Sequence, residues 1–199
     1  MAREFQEDSE IVTWADSLDD RWPERYDIRR HMVERIKALG CPQPVVVELC
    51  SGDGRLAREV LSAVPDATYV GIDASRSLGD YVERKLGAEV ICADLSEAGW
   101  PDRIGAHVDV ICTLQSMHDV GDGSVISQIY RSCMDALSPG GFFLVADFVV
   151  TEETFDAEKP GRLPVAWHLK ALTDAGFGDA VCSLESGAIG CMVGMKSDS

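Results

Sequence analysis

The sequence predicts an α/β protein: a doubly wound, mostly parallel sheet with helices on both faces and an antiparallel β-hairpin at its C-terminal end. Three observations predict it. Short apolar strand patterns alternate with longer helical ones along most of the chain, as a parallel sheet with crossover helices requires. The apolar run Val45–Leu49 breaks into a glycine turn, Cys50-Ser51-Gly52-Asp53-Gly54, that opens a helical pattern over residues 55–64. The last two apolar stretches, residues 180–184 and Ile189–Met195, are parted only by Glu185-Ser186-Gly187-Ala188, a spacing that suits a hairpin rather than another crossover.

Along the chain, residues 26–39 come first, with Ile28, Met32, Ile36 and Leu39 on one face and Pro23 just ahead. Trp14 and Trp22 precede this helix. Residues 1–40 are therefore expected to form an N-terminal helical cap, continuous with a main domain over residues 41–199. Val45–Leu49, residues 68–72, 90–92 and 108–113 are short and apolar enough for central strands, and Phe142–Phe148 supplies a fifth. Before that fifth strand, Val125, Ile129, Cys133 and Leu137 recur every fourth residue, marking a buried helix face that ends at Pro139-Gly140-Gly141. Residues 151–164 are acidic and carry Pro160-Gly161 and Pro164, which makes them a loop. There is no internal repeat and no low-complexity tract.

Composition bounds the function. A chain of 199 residues suits one domain with a single substantial core. Its 34 acids against 18 bases give a net charge of −16, with no Lys/Arg cluster, so nucleic acid and anionic membranes are poor partners. No apolar run approaches the roughly 20 residues of a membrane span, and the opening residues Met1 to Asp8 lack the apolar core of a signal peptide. The seven cysteines show no C-x-x-C spacing. Cys50, Cys92 and Cys112 fall in or beside strands, where a reduced thiol acts as a small hydrophobe. A zinc site or disulfide framework is not expected, and a reducing cytoplasm fits.

A strand, a glycine turn and a helix build a site where backbone approaches ligand closely and free N–H groups point at it. Gly52-x-Gly54-x-x-Ala57 fits the relaxed dinucleotide fingerprint, with Asp73 about 20 residues on as its ribose acid. Asp53 between the glycines and Glu48 upstream argue against that ligand, because both would repel a pyrophosphate. They make better sense beside a cationic ligand.

On these residues the chain resembles the class I S-adenosylmethionine-dependent methyltransferases, small-molecule type, with a Rossmann-like sheet. Their first motif is an acid, a short spacer and a glycine-rich turn, here Glu48 with Cys50, Gly52 and Gly54. Cys50 stands where the family most often has its first glycine. The resemblance continues through Tyr69-Val70-Gly71-Ile72-Asp73-Ala74-Ser75, Val90-Ile91-Cys92-Ala93-Asp94-Leu95, the segment from Asp109 to His118, and Leu137-Ser138-Pro139-Gly140-Gly141. It implies that Asp73, with Ala74 beside it, holds the ribose hydroxyls of S-adenosylmethionine. Asp94 takes the adenine amino group, the Leu95 N–H meets the ring, and Thr113 reaches the methyl end. It also implies a small-molecule acceptor methylated at O, N or C.

His118, just past the fourth strand, is the candidate general base, with Asp119 placed either to orient it or to cap the next helix. Asp119 and Asp147 invite a metal, but no third ligand appears at matching spacing, so none is expected. His168 in a later helix, with Trp167 beside it, suits a surface or packing role. Two other functions stay open at this point: a non-catalytic S-adenosylmethionine-binding scaffold or regulator, and a dinucleotide-dependent oxidoreductase. The residues do not identify the acceptor or the oligomeric state.

Overall fold

A computed structural model describes residues 3–105, 107–151 and 153–198. Seven strands form one sheet in the order β3-β2-β1-β4-β5-β7-β6. They are β1 (Val45–Leu49), β2 (Thr68–Asp73), β3 (Glu89–Cys92), β4 (Val110–Leu114), β5 (Phe142–Phe148), β6 (Gly178–Ser186) and β7 (Ile189–Met195). The first five pair in parallel, while β7 runs antiparallel to both β5 and β6. The expected sheet and closing hairpin are therefore present. The chain crosses from β3 over the middle of the sheet to β4, so the strand order reverses between β1 and β4. Ligands of open parallel sheets bind at such a switch point, beyond the carboxyl ends of the strands.

Among the described residues seven α-helices flank the sheet: α1 (Asp8–Arg21), α2 (Arg25–Lys37), α3 (Arg55–Ala63), α4 (Arg76–Leu86), the short α5 (Met117–Val120), α6 (Gly123–Ala136) and α7 (Val165–Ala175). Because strand side chains alternate, one face of the sheet presents Val46, Val110, Cys112, Leu144 and Val193, and α2, α3 and α4 bury Ile28, Met32, Ile36, Leu56, Val60 and Val82 against it. The other face presents Val47, Leu49, Ile111, Phe143 and Val145 to Ile126, Ile129, Tyr130 and Cys133 of α6 and Leu172 of α7. In α6 the buried stripe is thus Ile126, Ile129, Tyr130 and Cys133, with Val125 only half buried. An i, i+3, i+4, i+7 stripe is wider than the strict fourfold spacing suggested.

The helix α2 appears where the sequence placed it, one or two residues shifted, and is a full layer of the sandwich. The sequence reading did not anticipate α1. It buries only Ile11, Ala15 and Asp19, a sparse stripe on an acidic helix. Its place is secured instead by Asp19, which is 3% exposed. Arg25 Nε donates to Asp19 Oδ1 at 2.8 Å. Arg29 spans both carboxylate oxygens at 2.8 and 3.0 Å, and Arg55 Nη1 reaches Oδ2 at 2.7 Å. One carboxylate thereby joins α1, the start of α2 and the first residue of α3. Burial opposes charging of Asp19, but the three guanidiniums outweigh it and hold the carboxyl down at about 2. A strap at the N-terminal end completes the attachment. The Glu4 carboxylate accepts the Arg76 and Ser77 N–H groups at the start of α4, both at 3.0 Å, and Phe5 N–H donates to Ser77 Oγ.

Candidate functional site

The glycine turn sits at the carboxyl end of β1, and three of its residues adopt left-handed backbone: Cys50 (φ 55), Gly52 (φ 57) and Gly54 (φ 74). Glycine adopts this conformation freely, whereas Cys50 bears a cost of about 1–2 kcal/mol. The chain keeps the turn's shape even with a side chain where a glycine is usual. Gly52 leaves a gap beneath the Trp14 ring of α1, whose nearest atom would lie 3.8 Å from a Cβ. Gly54 serves packing. It is the residue before α3, and a Cβ there would press on Val82 and Leu86 of α4 at 3.0 Å.

Around this turn lies a cavity of about 720 Å³, inside the roughly 300–1,000 Å³ of ordinary ligand pockets. Its walls come from the ends of β1 to β4 and from α1. Of the residues singled out in the sequence, Glu48, Cys50, Gly52, Asp73, Ala74, Asp94 and Leu95 line it. Gly54, Thr113 and His118 do not. Thr113 is fully buried and shares a 2.5 Å hydrogen bond with Ser116, while Leu114, Gln115 and Ser116 form the wall where Thr113 was expected. Gln115 is held there by a left-handed bend (φ 55) and by its N–H on the Ala146 carbonyl at 2.7 Å.

Asp73 ends β2 with both oxygens partly engaged. Oδ2 accepts the Gly52 N–H and Oδ1 the Ser75 N–H, each at 2.9 Å. Burial lifts its pKa, and these N–H groups pull the other way. A carboxylate offers about four acceptor sites, so two remain for a pair of ligand hydroxyls. Asp94 Oδ1 accepts from both the backbone and the hydroxyl of Ser96, which lowers its pKa and fixes its direction at the far end of the cavity. Ser51 also lines the cavity, and its buried Oγ has no partner among the described residues. An acid-lined groove beside a left-handed turn fits a polar, cationic nucleoside.

Glu48 is almost wholly buried and receives the Tyr69 hydroxyl. Burial pushes its carboxyl up to about 8 despite that bond, and the nearby Asp53 and Asp73 add to the rise.

His118 lies in the short helix α5 after β4, and its orienting partner is Asp147 at the end of β5 rather than Asp119. Nδ1 lies 2.6 Å from Asp147 Oδ1, and the His118 N–H donates to Oδ2 at 2.9 Å. Asp119 Oδ2 is 3.4 Å from Nε2. Phe148 meets the imidazole edge-on at 4.8 Å, and Trp22 packs on Phe148 in turn. Burial would lower the His118 pKa, but the bond to Asp147 and its charge raise it above the ordinary value. His168 is fully buried in α7, bonded through Nδ1 to Tyr130 at 2.7 Å, and burial drives it down to about 4. It belongs to the core, as a packing role requires.

Comparison with known proteins agrees with this geometry. Residues 46–141 match the model of a methyltransferase domain family. That stretch, just under half of the chain, is similar to methyltransferase domains, and the sheet as a whole shares the fold of S-adenosylmethionine-dependent methyltransferases. A 97-residue stretch of the chain is 33% identical to the 4-amino-L-phenylalanine/4-methylamino-L-phenylalanine methyltransferase of Streptomyces pristinaespiralis, covering 46% of the chain and 32% of that relative. The chain thus matches about a third of the length of this curated relative. Human N-acetylserotonin methyltransferase, solved in complex with S-adenosylmethionine, superposes with a TM-score of 0.71 at 15% identity, over 96% of this chain and 57% of that one. A sugar N-methyltransferase from Streptoalloteichus gives 0.69 at 18% identity, over 99% and 96%. These likenesses concern the fold.

The Glu48 carboxyl generates a stability prediction. Unfolded, it titrates near 4.5; folded, near 8, so the native state holds the proton more tightly. That contribution is complete below the unfolded value and disappears as pH rises through about 8. The melting temperature should therefore fall as pH rises from about 4.5 to about 8. Glu48→Gln, which mimics the protonated carboxyl, should remove most of that fall in calorimetric scans.

Proposed function

We propose that the chain transfers a methyl group from S-adenosylmethionine to O, N or C of a small molecule. The observation that carries this reading is the acid-lined cavity at the switch point, with Asp73 beside the left-handed Gly52 turn and Trp14 above it. In this reading Asp73 holds the two ribose hydroxyls at its free acceptor sites. Asp94 and the Leu95 N–H meet the adenine, Ala74 packs beside the ribose, and Glu48 with the Cys50 carbonyl faces the methionine part. The bound donor supplies a sulfonium methyl for in-line displacement, and the protein's task is to align the acceptor and exclude water. Residues 1–40 would act as the cap, with α1 as its moving part, since α2 is anchored in the core.

The acids Glu48 and Asp53 around the turn support a cationic donor over a dinucleotide. The charge of −16 supports a small acceptor over nucleic acid. Among the described residues no helix is long and apolar enough to cross a membrane. All seven cysteines are free thiols, and a reducing compartment such as the cytoplasm suits them.

His118 is the proposed proton acceptor. Asp147 holds Nδ1, which leaves Nε2 as the nitrogen for exchange beside Asp119, a residue of the cavity wall. Transfer to an amine or hydroxyl releases a proton, and an imidazole poised by a carboxylate can take it.

Two outcomes check this reading. Asp73→Ala should weaken S-adenosylhomocysteine binding by roughly 2–4 kcal/mol in calorimetry while circular dichroism stays native. Unchanged affinity would remove the donor from this cavity. With labelled S-adenosylmethionine and a metabolite mixture, the native protein should yield a labelled small molecule. Binding without any transfer would favour the scaffold alternative. Once an acceptor is in hand, His118→Ala should lower kcat by about 10²–10⁴-fold and abolish the acidic limb of the pH profile, with donor affinity kept. A native kcat would reduce His118 to a structural partner of Asp147.

A further inference from the structure

Among the described residues, the arginines that are wholly or partly buried are Arg25, Arg29, Arg55 and Arg162. The first three converge on Asp19. The guanidinium of Arg162 has no hydrogen bond or ion pair to any described residue, in a chain with 34 acids against 18 bases. It lies over the Phe148 ring instead, 4.3 Å from the centroid. The same ring meets His118 edge-on at 4.8 Å and Trp22 at 4.7 Å. Arg162 thus shares an aromatic ring with the proposed proton acceptor, at the end of β5.

The backbone on both sides holds it there. Gly161 abuts α5 so closely that a Cβ would lie 2.5 Å from the carbonyl oxygens of both His118 and Gly121. Leu163 forms a parallel bridge to Val149, just past β5, and the Arg162 N–H donates to the Lys159 carbonyl at 3.0 Å. The acids around the guanidinium are already engaged. Asp147 accepts from the His118 backbone and from the Phe148 N–H and bonds the imidazole. Asp156 accepts from Lys159 and from the Glu158 N–H. Asp119 is 82% exposed and stands 3.4 Å from His118 Nε2.

A guanidinium stacked on a ring keeps its N–H fork at the rim, and a carboxylate is the group whose geometry matches that fork. Such a pair is charge-assisted, and partial burial strengthens it relative to one at the surface. An acceptor docked at His118 otherwise meets Asp119 and Asp147, which repel any anionic group that it carries. Burial and the Arg162 charge both oppose protonation of the imidazole, while Asp147 and Asp119 favour it. A carboxylate on Arg162 would cancel its share of that opposition, so the arriving acceptor strengthens the base that serves it.

We propose that Arg162 binds a carboxylate of the methyl acceptor, held apart from the atom that is methylated, so that the acceptors are small carboxylic acids. The proposal rests on the methyltransferase reading and on His118 as its proton acceptor. It supplies the substrate class which that reading leaves open.

The test starts from the product that the native protein labels with S-adenosylmethionine in a metabolite mixture. The acceptor, identified by mass spectrometry, should carry a carboxylate, and its primary amide should be a poorer acceptor. Arg162→Gln should raise KM for the acid roughly 10–100-fold and leave KM for the amide within about twofold. Arg162→Lys, which keeps a point charge without the flat fork, should fall between. A second arm uses benzoate and benzamide, titrated into protein saturated with S-adenosylhomocysteine while the His118 ring is followed by NMR. Benzoate should shift the ring signals and raise their pH midpoint, benzamide should do neither, and Arg162→Gln should abolish the difference. An acceptor without a carboxylate, an equal KM change for acid and amide, or the same benzoate response in Arg162→Gln overturns the proposal. Absence of any labelled product from the native protein would instead overturn the methyltransferase reading, so the two failures are distinct.

Discussion

The carboxylate of Asp19 organises the site. Its own helix has too little apolar surface to hold itself against the domain, since Ile11 and Ala15 are its only buried hydrophobic residues. Three guanidiniums converge on the one buried carboxylate instead, and each belongs to a different structural task. Arg29 anchors to the core helix α2, Arg55 opens the helix that follows the glycine turn, and Arg25 faces the cavity. A buried charge is tolerable only when it is fully paired, and removing one partner of such a cluster typically costs about 3–5 kcal/mol. The position of Trp14 over Gly52 therefore depends on this ion-pair cluster together with the packing of Ile11 and Trp14 on the core.

The same economy appears at the strand ends. Asp73 steadies the turn through the Gly52 N–H and still has acceptor sites left, so the group that shapes the site is also free to serve it. Cys50 and Gln115 occupy left-handed backbone just past the neighbouring strands β1 and β4. Strain of roughly 1–3 kcal/mol at each is characteristic of places where a backbone is shaped for a ligand rather than for stability. Glu48 adds a buried carboxyl that holds its proton near neutrality.

Much of this was legible before any coordinates. The β1 turn is a local signal, written in Gly52 and Gly54, and the acids at the ends of β2 and β3 follow from strand patterns that end abruptly. The family resemblance reached Asp73 and Asp94 by the same route. What stayed hidden was every interaction between residues far apart in sequence. Asp147 is 29 residues from His118, so the adjacent Asp119 looked like the natural partner. A buried Asp19 and a surface Asp20 read alike in a polar helix. Arg25 carries no local mark that separates it from its neighbours Arg29 and Arg30. Thr113 and Gly54 lie in the right motifs but turn out to serve packing and hydrogen bonding, because a strand end has two faces and only one looks into the cavity.

The central claim is that one ligand site joins the strand ends, the glycine turn and α1. Amide hydrogen exchange with and without S-adenosylhomocysteine tests it most directly. The account predicts slowed exchange in the amides of α1 around Trp14 and Leu18, in the turn from Cys50 to Arg55 and at the ends of β2 and β3, with little change in α6, α7 and β6. Protection confined to regions away from the glycine turn, or a protected turn with α1 unaffected, would contradict it.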